Sequence, residues 1–273
     1  MKHITIIGSG AVGKSLAVAL HKNGVRISGI YSLSGRTAAA AAKSCSAKHS
    51  GQLNVDSVIS DIVLLAVPDS VLPDVVRTIA ANRTALAGKV IVHTSGTLNS
   101  DELLQLRKRG ASVGSFHPLQ TFPKRRQFSD LTDCWFAVEG DAPAVNICKA
   151  LAKKAGGKHF LIAKKDKTLY HIAAVFASNY QVTLFSVVEH LAETIRIPRR
   201  DLWRIFRPLI VHTMENVFSS SAAEALTGPI ARGDYRTIMK HIAVLESSKS
   251  LHHLIPLYSA LGVETAKLIK RKH

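Results

Sequence analysis

The 273 residues predict an α/β chain in two parts, a parallel-sheet domain over residues 1–162 and an all-α domain over 163–273. Three observations carry this reading. An apolar, β-branched run at the start stops at a glycine-rich turn and gives way to helical periodicity; strand and helix patterns then alternate as far as Ile162; from Ala163 onward strand patterns disappear.

The opening stretch, Lys2-His3-Ile4-Thr5-Ile6-Ile7, runs into Gly8-Ser9-Gly10-Ala11-Val12-Gly13, and the helical pattern Ser15-Leu16-Ala17-Val18-Ala19-Leu20 follows at once. Strand, GxGxxG turn and helix in this order are the fingerprint of a Rossmann dinucleotide-binding domain. Gly8 allows the turn, Gly10 lets a pyrophosphate approach the backbone, and Gly13 lets the helix pack close to the strand. The N–H groups from Ser9 through Ala11 and Val12 then face the phosphates. An ordinary glycine-rich turn is the alternative, and the position of this one at the first strand of a strand–helix series argues for the cofactor.

A second strand is expected over Val25–Ile30. An NAD enzyme places Asp or Glu about 20 residues after the glycines, on the ribose 2′-hydroxyl. Here no acidic residue precedes Asp56, and the strand end offers Tyr31-Ser32-Leu33-Ser34-Gly35-Arg36. The Ser32 hydroxyl and the Arg36 guanidinium suit a 2′-phosphate, which points to NADP(H). Arg36 as a solvated helix residue is the alternative, though the missing carboxylate argues against NAD in either case.

A helix follows over Ala38–Lys43, then a poorly defined segment near Lys48–Val55, then a near-continuous apolar strand over Asp61–Val67, as a sheet covered on both faces requires. Its end, Ala66-Val67-Pro68, falls where a dinucleotide passes the carboxyl ends of the strands. Helical spacing resumes through Val71, Val75, Val76 and Ile79. The next strand, Val90–His93, ends in Thr94-Ser95-Gly96-Thr97, a loop expected near the nicotinamide, or else a plain helix entry with Ser100 as its N-cap. Ala111–Ser115 is a further strand leading into Phe116-His117-Pro118. His117, held extended before proline, is either a cofactor-site residue or loop packing. Cys134–Val138, the helix Ala142–Ala155 and the strand Lys158–Ile162 complete the first domain.

In the second domain Asp166 is expected to cap one long buried helix through Lys167, His171, Asn179 and Val188 to about Glu193. Pro198 starts the next helix, a glycine-punctuated connection spans Glu224–Asp234, Asp234 caps a helix containing His241, and a last helix runs from Leu251 to about Lys270. Helical spacing places Lys167 and His171 one turn apart, with Ser178 nearly above His171 and Asn179 on the adjoining edge. Polar groups in such a row are either core residues satisfied by neighbouring helices or donors facing a nicotinamide across a domain cleft. In the second case His171 or Lys167 supplies a proton and Asn179 holds the substrate oxygen. Arg232 is either a carboxylate clamp or the structural partner of Asp234.

Composition narrows the classes. Hydrophobic residues at 47% and charged residues at 20% are those of an ordinary globular protein. No run reads as a membrane span, because Ile172–Val188 is interrupted by Ser178-Asn179-Tyr180-Gln181. The chain opens on a strand rather than a signal peptide, so a cytoplasmic protein is expected. Cys45, Cys134 and Cys148 are scattered and read as buried free thiols, and no metal-ligand spacing occurs. The net charge of +17 comes from dispersed Lys and Arg with only 6% aromatic residues, which fits an anionic cofactor and substrate better than nucleic acid.

The amino-terminal part resembles the NADP-binding domain shared by pyrroline-5-carboxylate reductase, ketopantoate reductase and prephenate dehydrogenase. Four stretches, His93-Thr94-Ser95-Gly96, Phe116–Phe122, Tyr170–Asn179 and Leu226–Asp234, resemble a family of Rossmann-like oxidoreductases whose helical carboxy-terminal domain is labelled as of unknown function. The resemblance implies a second domain like the dimerisation domain of 6-phosphogluconate dehydrogenase, hence a homodimer, and an NADPH-dependent reductase of a small anionic 2-oxo acid, with ketopantoate the substrate toward which it leans. An imine reductase of the pyrroline-5-carboxylate reductase type and a non-catalytic NADP-binding sensor are the alternatives. Lys167 is followed one turn later by His171, where the ketopantoate reductase pattern has Asn, so the lysine role does not transfer directly.

Overall fold

A computed structural model describes residues 3–33, 35–57, 60–81, 85–123 and 128–269. Lys2, Ser34 and Lys270, named above, lie outside them. The chain forms two compact units, residues 1–180 and 181–273.

The first unit is built on one eight-stranded sheet with order β3-β2-β1-β4-β5-β6-β7-β8. Its strands are β1 (Ile4–Ile7), β2 (Ile27–Ser32), β3 (His49–Gln52), β4 (Ile62–Leu65), β5 (Val90–His93), β6 (Ser112–Leu119), β7 (Trp135–Gly140) and β8 (Lys158–Leu161). All neighbours are parallel except β6 and β7, which run antiparallel. The helices α1 (Ala11–Lys22), α2 (Gly35–Lys43), α3 (Leu72–Ala81), α4 (Leu104–Lys108) and α5 (Ala142–Lys154) connect them. Strands β1, β4 and β5 are buried at every position, because apolar clusters cover both faces. The strand order reverses between β1 and β4, and the carboxyl ends at such a switch point are where a doubly wound sheet binds a ligand.

Several expectations shift. The second strand begins at Ile27 and continues to Ser32, and the ill-defined segment supplies β3, paired to Gly29–Ser32. The strand expected to stop at Ser115 continues to Leu119, since β7 gives the backbone of Phe116–Leu119 antiparallel partners. Pro118 is therefore inside a strand, opposite Phe136. Ser100 is not an N-cap. Asn99 caps the short turn by accepting from the Asp101 N–H, while Ser100 donates through N–H and Oγ to the buried Glu139 carboxylate at 2.7 and 2.8 Å.

The single long helix is two. Helix α6 (Lys167–Ala177) and helix α7 (Asn179–Thr194) meet at Ser178, whose φ of −129° and ψ of −67° are not helical. Asp166 precedes α6 without a side-chain cap bond. α6 falls in the first unit, so the compact unit ends at Tyr180 rather than at the expected 162. Nor is the segment buried. The continuous stretch Lys164–Thr194 is, among the described residues, long and apolar enough to cross a membrane by length and composition, with a mean hydropathy of 1.2, and none of its most apolar window is covered within this chain. Lys167 is the exception in α6, fully buried while Leu169, Ile172 and Phe176 are exposed.

The second unit contains the remainder of α7, then α8 (Arg199–Ser219), α9 (Tyr235–Ser247) and α10 (Ile255–Ile269). Asp234 caps α9 by accepting from the Thr237 N–H at 3.0 Å and from its hydroxyl at 2.7 Å. The core is small: Leu245, Leu251 and Leu254 packed by Val187, Ile255 and Tyr258. Cys45, Cys134 and Cys148 are free and buried, and burial pushes all three thiols above their ordinary range.

Candidate functional site

The glycine turn has the shape its spacing suggests. Gly8 adopts φ +112°, and a side chain there would run into the Ala66 carbonyl. A Cβ on Gly13 would collide with the Gly8 carbonyl, so the start of α1 lies directly against the β1–α1 turn. At Gly10 a Cβ would meet nothing within 4 Å. The middle glycine thus opens onto free space at the amino end of a twelve-residue helix that has no acidic residue in its first turn. The N–H groups of Ala11, Val12 and Gly13 have no partners within the helix, which is the donor set an anion needs. Ala66 and Val67 border Gly8, and the chain turns at Pro68.

Past the end of β2, Ser9 donates to Thr37 Oγ1 at 2.8 Å, and Ser32 Oγ lies 3.1 Å from the same oxygen. Arg36 is exposed on the first turn of α2 beside this hydroxyl cluster. Thr37 was missed in the sequence. Its signal was its place directly after Arg36, on the first turn of a helix that begins at a strand end.

A second cluster sits beyond β5 and β6. Thr94 N–H donates to the Leu65 carbonyl at 3.0 Å. Ser95 Oγ donates to Asp69 at 2.9 Å and accepts from the N–H groups of Thr97 and Leu98. Gly96 faces two imidazoles, because a Cβ there would lie 2.5 Å from His171 Nδ1 and 2.9 Å from His117 Nε2. The rings of His117 and His171 are 6.0 Å apart and perpendicular. His117 Nδ1 bonds the Tyr170 hydroxyl at 2.8 Å. His171 Nδ1 is buried without a partner among the described residues.

Lys167 lies behind this loop. Its ammonium donates to the Ser95 carbonyl at 2.7 Å and to Ser115 Oγ. Burial pulls its pKa down to about 8, with Glu139 and Asp69 opposing the shift. Two histidines near it, His93 buried and His117 partly buried, stay neutral. His117 is pushed down to about 3 by burial, then by the charge of Lys167 and by His171 and His93. His93 falls to about 4 through burial and Lys167, against a bond to the Asn99 carbonyl. His93 Nδ1 accepts from the Ser95 N–H, so its proton is on Nε2.

In front of the imidazoles opens a cavity of about 700 Å³. Its lining combines the polar side chains of His117, Gln120, Thr121, Tyr170, His171, Ser178 and Asn179 with the apolar ones of Leu119, Phe122, Pro123 and the alanines of α6. The structure therefore brings His117, His171 and Asn179 to one cavity. Lys167 is not on its wall, and Arg232 belongs to the second unit, exposed on the turn before Asp234. Tyr170 was not singled out in the sequence, although it follows Lys167 by three positions and adjoins His171. Among the described residues no group of three or more His, Cys, Asp or Glu is placed to hold a metal ion.

Residues 2–118 match the model of the Rossmann-like domain, and residues 134–265 match that of a domain of unknown function, DUF2520. Each match covers somewhat less than half of the chain. No curated protein matches it in sequence. Among solved structures it is similar to a protein of Bacteroides fragilis described as an NADP oxidoreductase, at 23% identity and a TM-score of 0.79 over 97% of this chain and 98% of that one. A protein of Thermotoga maritima gives 24% identity and a TM-score of 0.71 over 98% and 99%. An imine reductase of Myxococcus stipitatus in complex with NADP+ gives 18% and 0.68 over 99% and 95%. These likenesses extend over both domains, and what they establish is the fold.

Proposed function

We propose that this protein is an NADPH-dependent oxidoreductase that reduces a C=O or C=N group on a small substrate with an apolar body. The observation that carries it is the pairing of an open anion cradle at Gly10 with a cavity lined by two imidazoles that meet at Gly96. Gly8 through Gly13, with Ala66, Val67 and Pro68, hold the pyrophosphate and adjoining sugar in this reading, and Thr94 and Ser95 border the nicotinamide. Ser32, Thr37 and Arg36 bind the 2′-phosphate, a role supported by the hydroxyl cluster beyond β2 and by the absence of any carboxylate before Asp56. When bound, a reduced nicotinamide supplies a hydride.

The protein's own part is to bind the acceptor group, orient it and deliver a proton. His171 is the proton donor: it lines the cavity, and its ring stands beside that of His117. Asn179, which also lines the cavity, orients the reacting group. Lys167 is set back behind Ser95 and holds the loop rather than touching substrate. The apolar walls of Leu119, Phe122 and the α6 alanines suit a ligand with an apolar part, which weighs toward cyclic imines and apolar ketones. The exposed apolar faces of α6 and α8 support a homodimer as the working form, and a cytoplasmic location, where NADPH is supplied, belongs to the same reading.

The test is NADPH oxidation by the purified protein with a panel of cyclic imines, ketones and 2-oxo acids. Saturable turnover is expected, with His171→Ala lowering kcat by about a hundredfold and leaving NADPH affinity within about twofold. Unchanged turnover in His171→Ala removes the proton-donor role. Tight NADPH binding with no consumption across the panel argues for the sensor alternative.

A further inference from the structure

His117 is neutral, so it has one N–H, and which nitrogen carries it decides what the residue can do. On β6 its neighbour Phe116 points into the sheet core and stacks on Phe136 at 4.4 Å, so the strand alternation turns His117 to the cavity side. There Nδ1 meets the Tyr170 hydroxyl at 2.8 Å, and Nε2 lies on the side of Gly96. Tyr170 is itself held in place. The Phe160 ring packs on it edge-on at 5.6 Å, with Trp135 6.3 Å beyond Phe160. Burial pushes the phenol up to about 12, so its hydrogen stays on. Among the described residues that hydroxyl has no other partner than His117 Nδ1.

The two observations together favour one arrangement. A phenol O–H whose protein acceptor is an imidazole nitrogen donates to it, and a nitrogen that accepts is unprotonated. We infer that Tyr170 is a positioning residue for His117: its hydroxyl fixes the imidazole proton on Nε2 and makes His117 a neutral hydrogen-bond donor to the acceptor atom of the ligand's polar group. Every titratable group around the ring is consistent with this. From α6 come Lys167 and His171, from β5 comes His93, and the carboxylates of Glu139 and Asp69 act on Lys167. Among the described residues no acid acts on His117 to make it an imidazolium. A neutral imidazole donor polarises a carbonyl or imine without giving up its proton, and that leaves proton delivery to His171. The consequence for turnover rests on the reductase reading; the tautomer does not.

The experiment is nitrogen-15 NMR of the full chain labelled in its histidine rings, with His117 assigned by the signals lost in His117→Gln. The expected spectrum has an unprotonated Nδ1 and a protonated Nε2, unchanged between about pH 5 and 9. In Tyr170→Phe both tautomers are expected. A proton on Nδ1 in the wild type, titration in that range, or an unchanged tautomer in Tyr170→Phe overturns the inference. If that variant does not fold, 3-fluorotyrosine incorporated throughout makes the phenol a stronger donor. His117 Nδ1 must then shift, and a resonance that stays put counts against the inference. In turnover, Tyr170→Phe is expected to lower kcat about tenfold with the KM for NADPH little changed. A protein that turns over no substrate while showing the expected tautomer refutes the reductase reading alone.

Discussion

The two units differ in how completely they satisfy themselves. In the first, Ile4, Ile6, Val63, Leu64, Val92 and Phe116 have no exposed surface, and helices close over both faces of the sheet. In the second, three leucines make the core, while Leu209, Tyr235, Met239 and Phe218 stand exposed, Phe218 at 82%. Parallel strands need cover on both sides and recruit it from their own connections. A helix needs only one face covered, and this chain does not supply that cover to most of its carboxy-terminal helices. The sheet unit thus sets the geometry of the cradle and cavity from within, whereas the helical unit presents apolar surface of the kind that marks contact with something else.

The largest expected effect lies where packing in the first unit is tightest. In Gly13→Ala the new methyl group is driven against the Gly8 carbonyl, so stability should fall by about 3 kcal/mol or more, measured by chemical denaturation. A loss below about 1 kcal/mol would mean that the turn adjusts freely and that the close approach is not built in.

An intermediate effect is expected from Lys167. Its folded pKa of about 8 lies below the ordinary 10.5. Between these values the unfolded chain binds more protons, so the wild type should gain stability as pH rises from about 8 to 10.5, by up to about 3 kcal/mol from this group. Below pH 8 the ammonium is protonated in both states and contributes no slope. Lys167→Met should lack that rise when stability is measured across the window. An identical slope in the variant would place the buried ammonium elsewhere.

The smallest effect should be at the least covered ring. Phe218→Ala is expected to change the stability of the dilute, monomeric chain by less than about 0.5 kcal/mol. A larger cost that appears only as protein concentration rises would show that a second copy covers this face, which would sharpen the contrast between the units.

The same contrast explains what could be read from sequence. Ile62–Leu65 and Val90–His93 announce themselves as unbroken apolar runs, and Gly8, Gly10 and Gly13 have spacings that one geometry explains. The extension of β6 was hidden because its cause is a partner strand that begins at Trp135. A lysine at a helix start looks like a solvated residue or a cleft donor; only tertiary contacts with Ser95 and Ser115 put Lys167 beneath the loop. Tyr170 gains its role from a histidine 53 positions earlier. The break at Ser178 follows an alanine-rich run with no proline or glycine to signal it. His171 lies on α6 as its spacing from Lys167 suggests, whereas Asn179 reaches the cavity lining from beyond the break at Ser178, which helical spacing did not foresee.

The central claim is that the first unit is built to take NADPH. Titration of the purified protein with NADPH and separately with NADH, followed by nicotinamide fluorescence, tests it most directly. The account expects saturable NADPH binding at least about tenfold tighter than NADH, with the difference abolished by Arg36→Glu. Equal affinity for the two cofactors, or binding of neither, would contradict it.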